Sequence, residues 1–263
     1  MKKIIPKTKI GQHFLKNTKI FSLFINTLPD NVLVVEIGAG PGQLTELLAQ
    51  KSKEVYAVEI DYQFQTILEK LENKYFNLNI IFGNILKLDL NQFKNCWFVG
   101  NLPYHIIEPL IGKLIHLNFP GALFFVGKKF VDLKKDIKLS LAVKSFFHLD
   151  VLTWVSKDNF NPPPRTESAL ITLKPLKKNE YEKNKNIFLV RQLFLTSSQS
   201  PLVKNILFRS LINYSYKIKG QNLTKNEARQ KIKEYNLPKS ILEKPFEQLN
   251  KQEYLILSKK FNV

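Results

Sequence analysis

Cys96 is the only cysteine in 263 residues, so the chain can make no intrachain disulfide and no cysteine-based metal cluster. Its four histidines, His13, His105, His116 and His148, are scattered and show no metal-ligand spacing. No apolar run reaches the ~18 residues of a membrane span. Ile20 to Leu28 is fairly apolar behind a basic start, yet no small-residue cleavage site follows. Gly11-Gln12-His13-Phe14 also interrupts the pattern of a signal peptide. The expectation is a cytoplasmic protein with no membrane partner. Arginine is scarce, at Arg165, Arg191, Arg209 and Arg229, so 36 of the 40 cations are lysine. Acids are scarce too: 40 Lys+Arg against 22 Asp+Glu leaves +18, which favours a polyanionic partner, most simply nucleic acid. An AT-rich genome would explain the lysine bias, but it explains the shortage of acids less readily. With 44% hydrophobic residues the chain can build a real core, which argues against wholesale disorder.

Glycine is also sparse, and its placement is informative. Of ten glycines, three fall within Gly38-Ala39-Gly40-Pro41-Gly42. This stretch follows Val32 to Ile37, which reads as a buried parallel strand, and precedes an amphipathic helix carried by Leu44, Leu47 and Leu48. Such a loop lets a ligand approach the backbone closely. A second strand, Val55 to Ile60, ends in acids at Glu59 and Asp61, and Glu59 lies 21 residues after Gly38. At that spacing an acid grips ribose hydroxyls in nucleotide-binding βαβ units. An NAD site fits imperfectly, because Gln43 stands where the dinucleotide fingerprint has its third glycine. A phosphate-binding P-loop is excluded, since no Gly-Lys-Ser/Thr follows. A glycine loop plus a ribose-binding acid, without pyrophosphate chemistry, fits S-adenosylmethionine.

Further strands are expected at Leu78–Phe82, Cys96–Val99, Gly121–Val126, Val151–Val155 and Ser168–Leu173, with helices between most of them. Lys128 to Lys138 reads as a basic surface loop and Leu139 to Phe147 as a helix. The alternation predicts a doubly wound, Rossmann-like α/β sheet whose last two strands form an antiparallel pair. Near Lys174-Pro175 the composition shifts. Residues 175–263 carry 18 Lys/Arg against 7 Asp/Glu, a net of +11, and their pattern is helical. The expected organisation is a domain at 1–174 with a basic N-terminal arm (Lys2, Lys3, Lys7, Lys9), then a basic helical domain at 175–263 that docks RNA.

Strand Cys96–Val99 runs through Gly100 into Asn101-Leu102-Pro103-Tyr104. Ligands of an open α/β sheet bind outside the carboxyl ends of the strands. The Asn101 side-chain carbonyl and the Leu102 backbone carbonyl can each accept a hydrogen from an exocyclic amine. Pro103 fixes φ and removes a competing donor. Tyr104 offers a face for stacking a base. The alternative is an ordinary strand-to-helix turn.

Taken together, the chain resembles the rRNA adenine dimethyltransferases. The resemblance covers nearly all of residues 7–175 and rests on five motifs in order: Gly11-Gln12-His13-Phe14-Leu15, Glu36 to Gly42, Glu59-Ile60-Asp61, Gly100 to Tyr104, and Phe160-Asn161-Pro162-Pro163-Pro164-Arg165. It implies a methyltransferase sheet, a helical C-terminal domain and S-adenosylmethionine as methyl donor, with no metal. His13, Leu15, Gly38, Gly40, Glu59, Asn84 and Asn101 would line the cofactor site. Asn101 to Tyr104 would hold the target adenine, and Phe160 would stack on it. The implied partner is small-subunit rRNA or the small ribosomal subunit, met by a monomer that dimethylates adenosines near the RNA 3′ end.

The chain departs from the family pattern in three places. Asn84 stands where members usually carry Asp, Gly127-Lys128-Lys129 replaces Gln-Lys-Glu, and Ser197-Ser198-Gln199-Ser200-Pro201 replaces a basic cluster. The rival functions are a large-subunit rRNA methyltransferase conferring antibiotic resistance, a DNA adenine methyltransferase, and a non-catalytic RNA-binding assembly factor.

Overall fold

The computed structural model describes residues 6–7, 11–133, 136–196 and 201–263. Lys2, Lys3 and Lys9 of the basic arm and Ser197 to Ser200 lie outside these residues, as does the Tyr104 side chain. The chain divides into two compact units: one runs to Asp132 and resumes at Leu149–Lys174, the other comprises Leu133–His148 and Pro175–Val263.

The first unit opens with a two-residue strand β1 (Phe14–Leu15) and helix α1 (Thr18–Thr27). Asn17 caps α1 by accepting from the Lys19 N–H, and Pro29 follows the helix end. The sheet then builds as β2 (Leu33–Ile37), α2 (Gln43–Lys51), β3 (Glu54–Glu59), α3 (Gln65–Lys74), β4 (Leu78–Phe82), β5 (Trp97–Asn101), α4 (Tyr104–Leu114) and β6 (Ala122–Gly127). A four-residue helix α5 (Lys128–Val131) stands where the sequence suggests a loop. Helix α6 (Ile137–Phe146), strand β7 (Phe147–Val155), a two-residue strand β8 (Phe160–Asn161) and β9 (Ser168–Pro175) follow. The seven-stranded sheet has the order β4-β3-β2-β5-β6-β9-β7. Strands β2 to β6 pair in parallel and β9 runs antiparallel to β6, so the predicted doubly wound sheet is present. The last two strands are sheet neighbours, as expected.

The continuous apolar runs of β2, β5 and β6 reflect burial on both faces. The strand order reverses between β2 and β5, and there the parallel strands place the Gly38 loop and Asn101 at one edge. Gly100 makes this junction possible. Its φ is +154°, and a Cβ there would collide with the carbonyl oxygen of Ile37 on the neighbouring strand.

The second unit holds α7 (Lys178–Lys183), α8 (Lys185–Thr196), α9 (Val203–Lys219), α10 (Lys225–Lys233), α11 (Lys239–Leu242) and α12 (Lys251–Phe261). Capping boxes start α10 (Thr224 with Glu227) and α12 (Asn250 with Glu253). A division at residue 174 puts α6 in the first unit, whereas α6 packs on α8 and α12. The reason is specific. Arg191 of α8 donates to the Ser145 carbonyl at 2.8 Å, and its guanidinium lies 4.1 Å from the Phe146 ring centre and 4.0 Å from that of Tyr181. Among the described residues, no helix is long and apolar enough to cross a membrane.

Candidate active site

A cleft of ≈ 260 Å³ opens at the carboxyl ends of β2 to β5. His13, Leu15, Gly38, Gly40, Glu59, Asn84 and Asn101, all expected from sequence, line it, and Pro103 joins them.

Asn101 is the last residue of β5. Its Nδ2 donates to the His13 carbonyl at 2.6 Å, which fixes the amide plane. Among the described residues its Oδ1 accepts no hydrogen bond, so an acceptor is held ready at the cleft. The next residue, Leu102, donates its N–H to the Phe125 carbonyl at 3.0 Å, and its side chain is buried. Pro103 has φ −57° and caps α4. His105 and Glu108, on the first turns of α4, are exposed.

Residues 11–15 line the cleft as a strap. Phe14 and Leu15 pair antiparallel with Asn161 and Phe160. The His13 Nδ1–H donates to the Pro162 carbonyl at 2.7 Å. Gly11 has φ +81°, and a Cβ on it would lie 2.7 Å from Pro103 Cβ, so only glycine lets the strap approach the Asn101 motif this closely. The strap is latched to Asp61. Lys7 Nζ reaches Asp61 Oδ1 at 2.8 Å, and Gln12 Nε2 and Gln63 Nε2 donate to Oδ2 at 2.9 and 2.7 Å. Burial pushes the Asp61 carboxyl up, but Lys7, the Gln63 N–H and the two glutamines together hold it below the usual carboxylate range.

Two acids stand at the back of the cleft. Glu59 is 4% exposed. Its Oε2 accepts from the Gly40 N–H at 2.7 Å and its Oε1 from the Asp61 N–H at 2.8 Å. Burial raises its pKa, opposed by these N–H groups. Each oxygen keeps a second lone pair, which suits the two hydroxyls of a ribose. One strand over, Glu36 is 1% exposed and its Oε2 has no hydrogen-bond partner. Burial pushes its carboxyl up to about 8, opposed by Thr45 and reinforced by the Glu59 charge. Sequence reading took Glu36 only as the start of a motif. The signal available was an acid inside a strand buried on both faces.

Asn84 follows β4 and Gly83, and its Oδ1 accepts from the Leu86 N–H at 2.9 Å. The oxygen expected to face a ligand thus holds an Asx turn. Phe160 lies elsewhere than expected. It is 1% exposed, packs edge-to-face on Phe125 at 6.5 Å, and is not among the cleft-lining residues. Phe14, Phe21 and Phe125, which sequence reading passed over as site residues, do line the cleft. Among the described residues, no group of three or more His, Cys, Asp or Glu is arranged to hold a metal ion.

The donor set suits S-adenosylmethionine: a paired carboxylate for the ribose, a glycine loop beside it, and Ile60 and Ile85 as apolar walls. Sheet, switch point and cleft together define a Rossmann-like methyltransferase. The family model for ribosomal RNA adenine dimethylase matches residues 5–239. The chain belongs to the ribosomal RNA adenine dimethylase family and is an S-adenosylmethionine-dependent adenine dimethyltransferase. It is 32% identical over 242 residues to the ribosomal RNA small subunit methyltransferase A of Mycoplasmopsis pulmonis, covering 84% of this chain and 95% of that protein. A crystal structure of a dimethyladenosine transferase from Plasmodium falciparum is similar with a TM-score of 0.61 and 26% identity, over 95% of this chain and 98% of that one. The 23S rRNA methyltransferase ErmE matches with a TM-score of 0.57 at 18% identity, over 95% and 100% of the two chains, a likeness of fold alone.

Proposed function

We propose that the chain transfers methyl groups to the exocyclic N6 of adenosines near the 3′ end of small-subunit rRNA, as a cytoplasmic monomer that takes part in ribosome maturation. The observation that carries the chemistry is the Asn101 amide, pinned through Nδ2 with its carbonyl free at the cleft. When bound, S-adenosylmethionine supplies a methyl group already activated on a sulfonium. Glu59 would hold the ribose hydroxyls, the Gly38 and Gly40 backbone the amino-acid moiety, and His13, Leu15 and Asn84 the remaining wall.

The adenine amine is a poor nucleophile because its lone pair is delocalised into the ring. Asn101 Oδ1 and the Leu102 carbonyl would accept its two hydrogens. That draws the nitrogen towards a pyramidal geometry and frees the lone pair. Positioning and oriented acceptors then supply most of the rate. The methylated cation sheds its proton readily, so no general base is required; Glu108 is an exposed group on α4, and His105, exposed at the cleft, needs no proton-transfer role.

Support for small-subunit rRNA as substrate comes from the relatives' names and from the charge of residues 175–263, 18 Lys/Arg against 7 Asp/Glu. Helix α9 contains no acid and turns Arg209, Tyr216 and Lys217 outward. Such a surface suits phosphate contacts and base stacking. The test is incubation with labelled S-adenosylmethionine and either unmethylated small or large ribosomal subunits, followed by mapping of modified bases. Dimethyladenosine near the small-subunit 3′ end is expected. Label confined to large subunits would replace this reading with the large-subunit one, and no label on either would leave a binding protein.

A further inference from the structure

The Asn101 amide is held by the strap, and one strap residue is bonded on both sides. The His13 main-chain carbonyl can only accept, so the 2.6 Å contact comes from Asn101 Nδ2 and leaves Oδ1 at the cleft. The same reasoning settles the ring of His13. Its Nδ1 lies 2.7 Å from the Pro162 carbonyl, another pure acceptor, so Nδ1 carries the hydrogen. His13 therefore joins Asn101, at the end of β5, to the Asn161-Pro162 segment that follows β7. The neighbouring anchors do not duplicate this tie. Phe14 and Leu15 are held by main-chain pairing with β8, and the Lys16 N–H reaches the Asn159 carbonyl at 2.8 Å. Before His13, Gln12 is tied to Asp61. None of these bonds reaches Asn101.

We propose that His13 is a positioning residue for methyl transfer. Its ring, anchored on the Pro162 carbonyl, fixes the main-chain carbonyl that keeps Asn101 turned with Oδ1 towards the target amine. The two ends of an amide have nearly the same shape. Released from His13, Asn101 can turn through half a rotation and present Nδ2, a donor, to an amine that needs an acceptor. A misplacement of ~1 Å by a change away from the chemistry can cost ~10²-fold in rate. The His13 ring thus acts on the rate through Asn101. The Asn161-Pro162 segment becomes part of the same machinery. Asn161 and Pro163 are exposed, so the orientation of the amide is set from a surface segment as well as from the sheet.

This proposal rests on the reading of Asn101 as the acceptor for the adenine amine, and a double-mutant cycle separates the two. Single-turnover rates at saturating S-adenosylmethionine and unmethylated small subunits are measured for wild type, His13→Phe, His13→Asn, Asn101→Ala and the double variant His13→Phe with Asn101→Ala. Each is checked by a thermal melt and by its affinity for S-adenosylhomocysteine. His13→Phe keeps a planar ring and removes the donor. It should slow the step by about tenfold or more, with affinity within about threefold of wild type. Asparagine carries Nδ2 on the same γ carbon that carries Nδ1 in histidine, so His13→Asn should recover the rate to within about threefold. In the Asn101→Ala background, His13→Phe should cost less than about twofold, because the residue through which it acts is gone. A ring needed only for packing would cost the same factor in both backgrounds, and that result overturns the proposal. So does a His13→Phe rate within about threefold of wild type, or a His13→Asn rate as low as that of His13→Phe. If His13→Phe does not fold, His13→Leu replaces it, and failure of both to fold would make the bond a folding requirement and overturn the proposal too. A wild-type rate in Asn101→Ala overturns the reading of Asn101 itself, and the proposal with it.

Discussion

The two units use polar chemistry in opposite ways. Nine of the ten glycines precede residue 175, and only Gly220 follows it. The first unit buries Glu36, Glu59 and Asp61 around its cleft, whereas the buried acid after residue 175, Glu253, pairs with Lys244 at 2.6 Å and caps α12. In the first unit, backbone conformation and single carboxylates are fixed by what they touch. In the second, apart from Arg191 and Glu253, most of the charge lies on exposed lysines, where one does much the same as another. The difference teaches where point changes act steeply and where only sums of charge count.

The steepest break is expected at Gly100. Gly100→Ala drives a Cβ into the Ile37 carbonyl at the centre of the sheet. Backbone strain and displaced packing should cost more than ~3 kcal/mol, read as a urea midpoint far below wild type or as failure to fold. A variant within ~0.5 kcal/mol of wild type would show that the sheet tolerates a side chain there.

Glu36 gives an intermediate effect with a definite sign. Its carboxyl is raised from 4.5 to about 8, so between those values the native state holds a proton that the unfolded chain has released. Its contribution to stability is fully present below the unfolded value and is lost as pH rises through the native one. The slope is at most about 1.4 kcal/mol per pH unit. Glu36→Gln, which resembles the protonated form, should therefore gain stability relative to wild type between pH 5 and pH 8, by ~2 kcal/mol in order of magnitude. Parallel stability profiles for the two proteins would show that Glu36 is ionised in the fold at both pH values.

The smallest effect belongs to the second unit. Arg209→Ala with Lys217→Ala should leave folding and S-adenosylhomocysteine affinity unchanged. The slope of log K for RNA against log salt should fall by about 2, because two phosphate contacts are lost. An unaltered slope would assign the positive charge of α9 to composition alone.

What was legible in the sequence follows the same division. The parallel strands showed as apolar runs, and Asn101, Glu59 and the glycine loop showed because few residue types can do their work. The strap was half legible. Gly11 stood out, but its contact with Pro103 and the pairing of Leu15 with Phe160 join residues far apart in the chain, and a local pattern carries no such information. The stacking role of Phe160 came only from the family resemblance, and the ring is buried in the core. Helix α6 was read with the strands that flank it in sequence, and Arg191, 46 residues further on, is what holds it in the second unit.

The central claim is that the pinned Asn101 amide acts on the exocyclic amine. The most direct test is the single-turnover rate of methylation of unmethylated small subunits by wild type and Asn101→Ala, with S-adenosylmethionine and subunits both saturating. Losing an acceptor of this kind should lower the rate by about 10²–10³-fold, with the fold intact by circular dichroism. A rate within a few-fold of wild type would contradict the account.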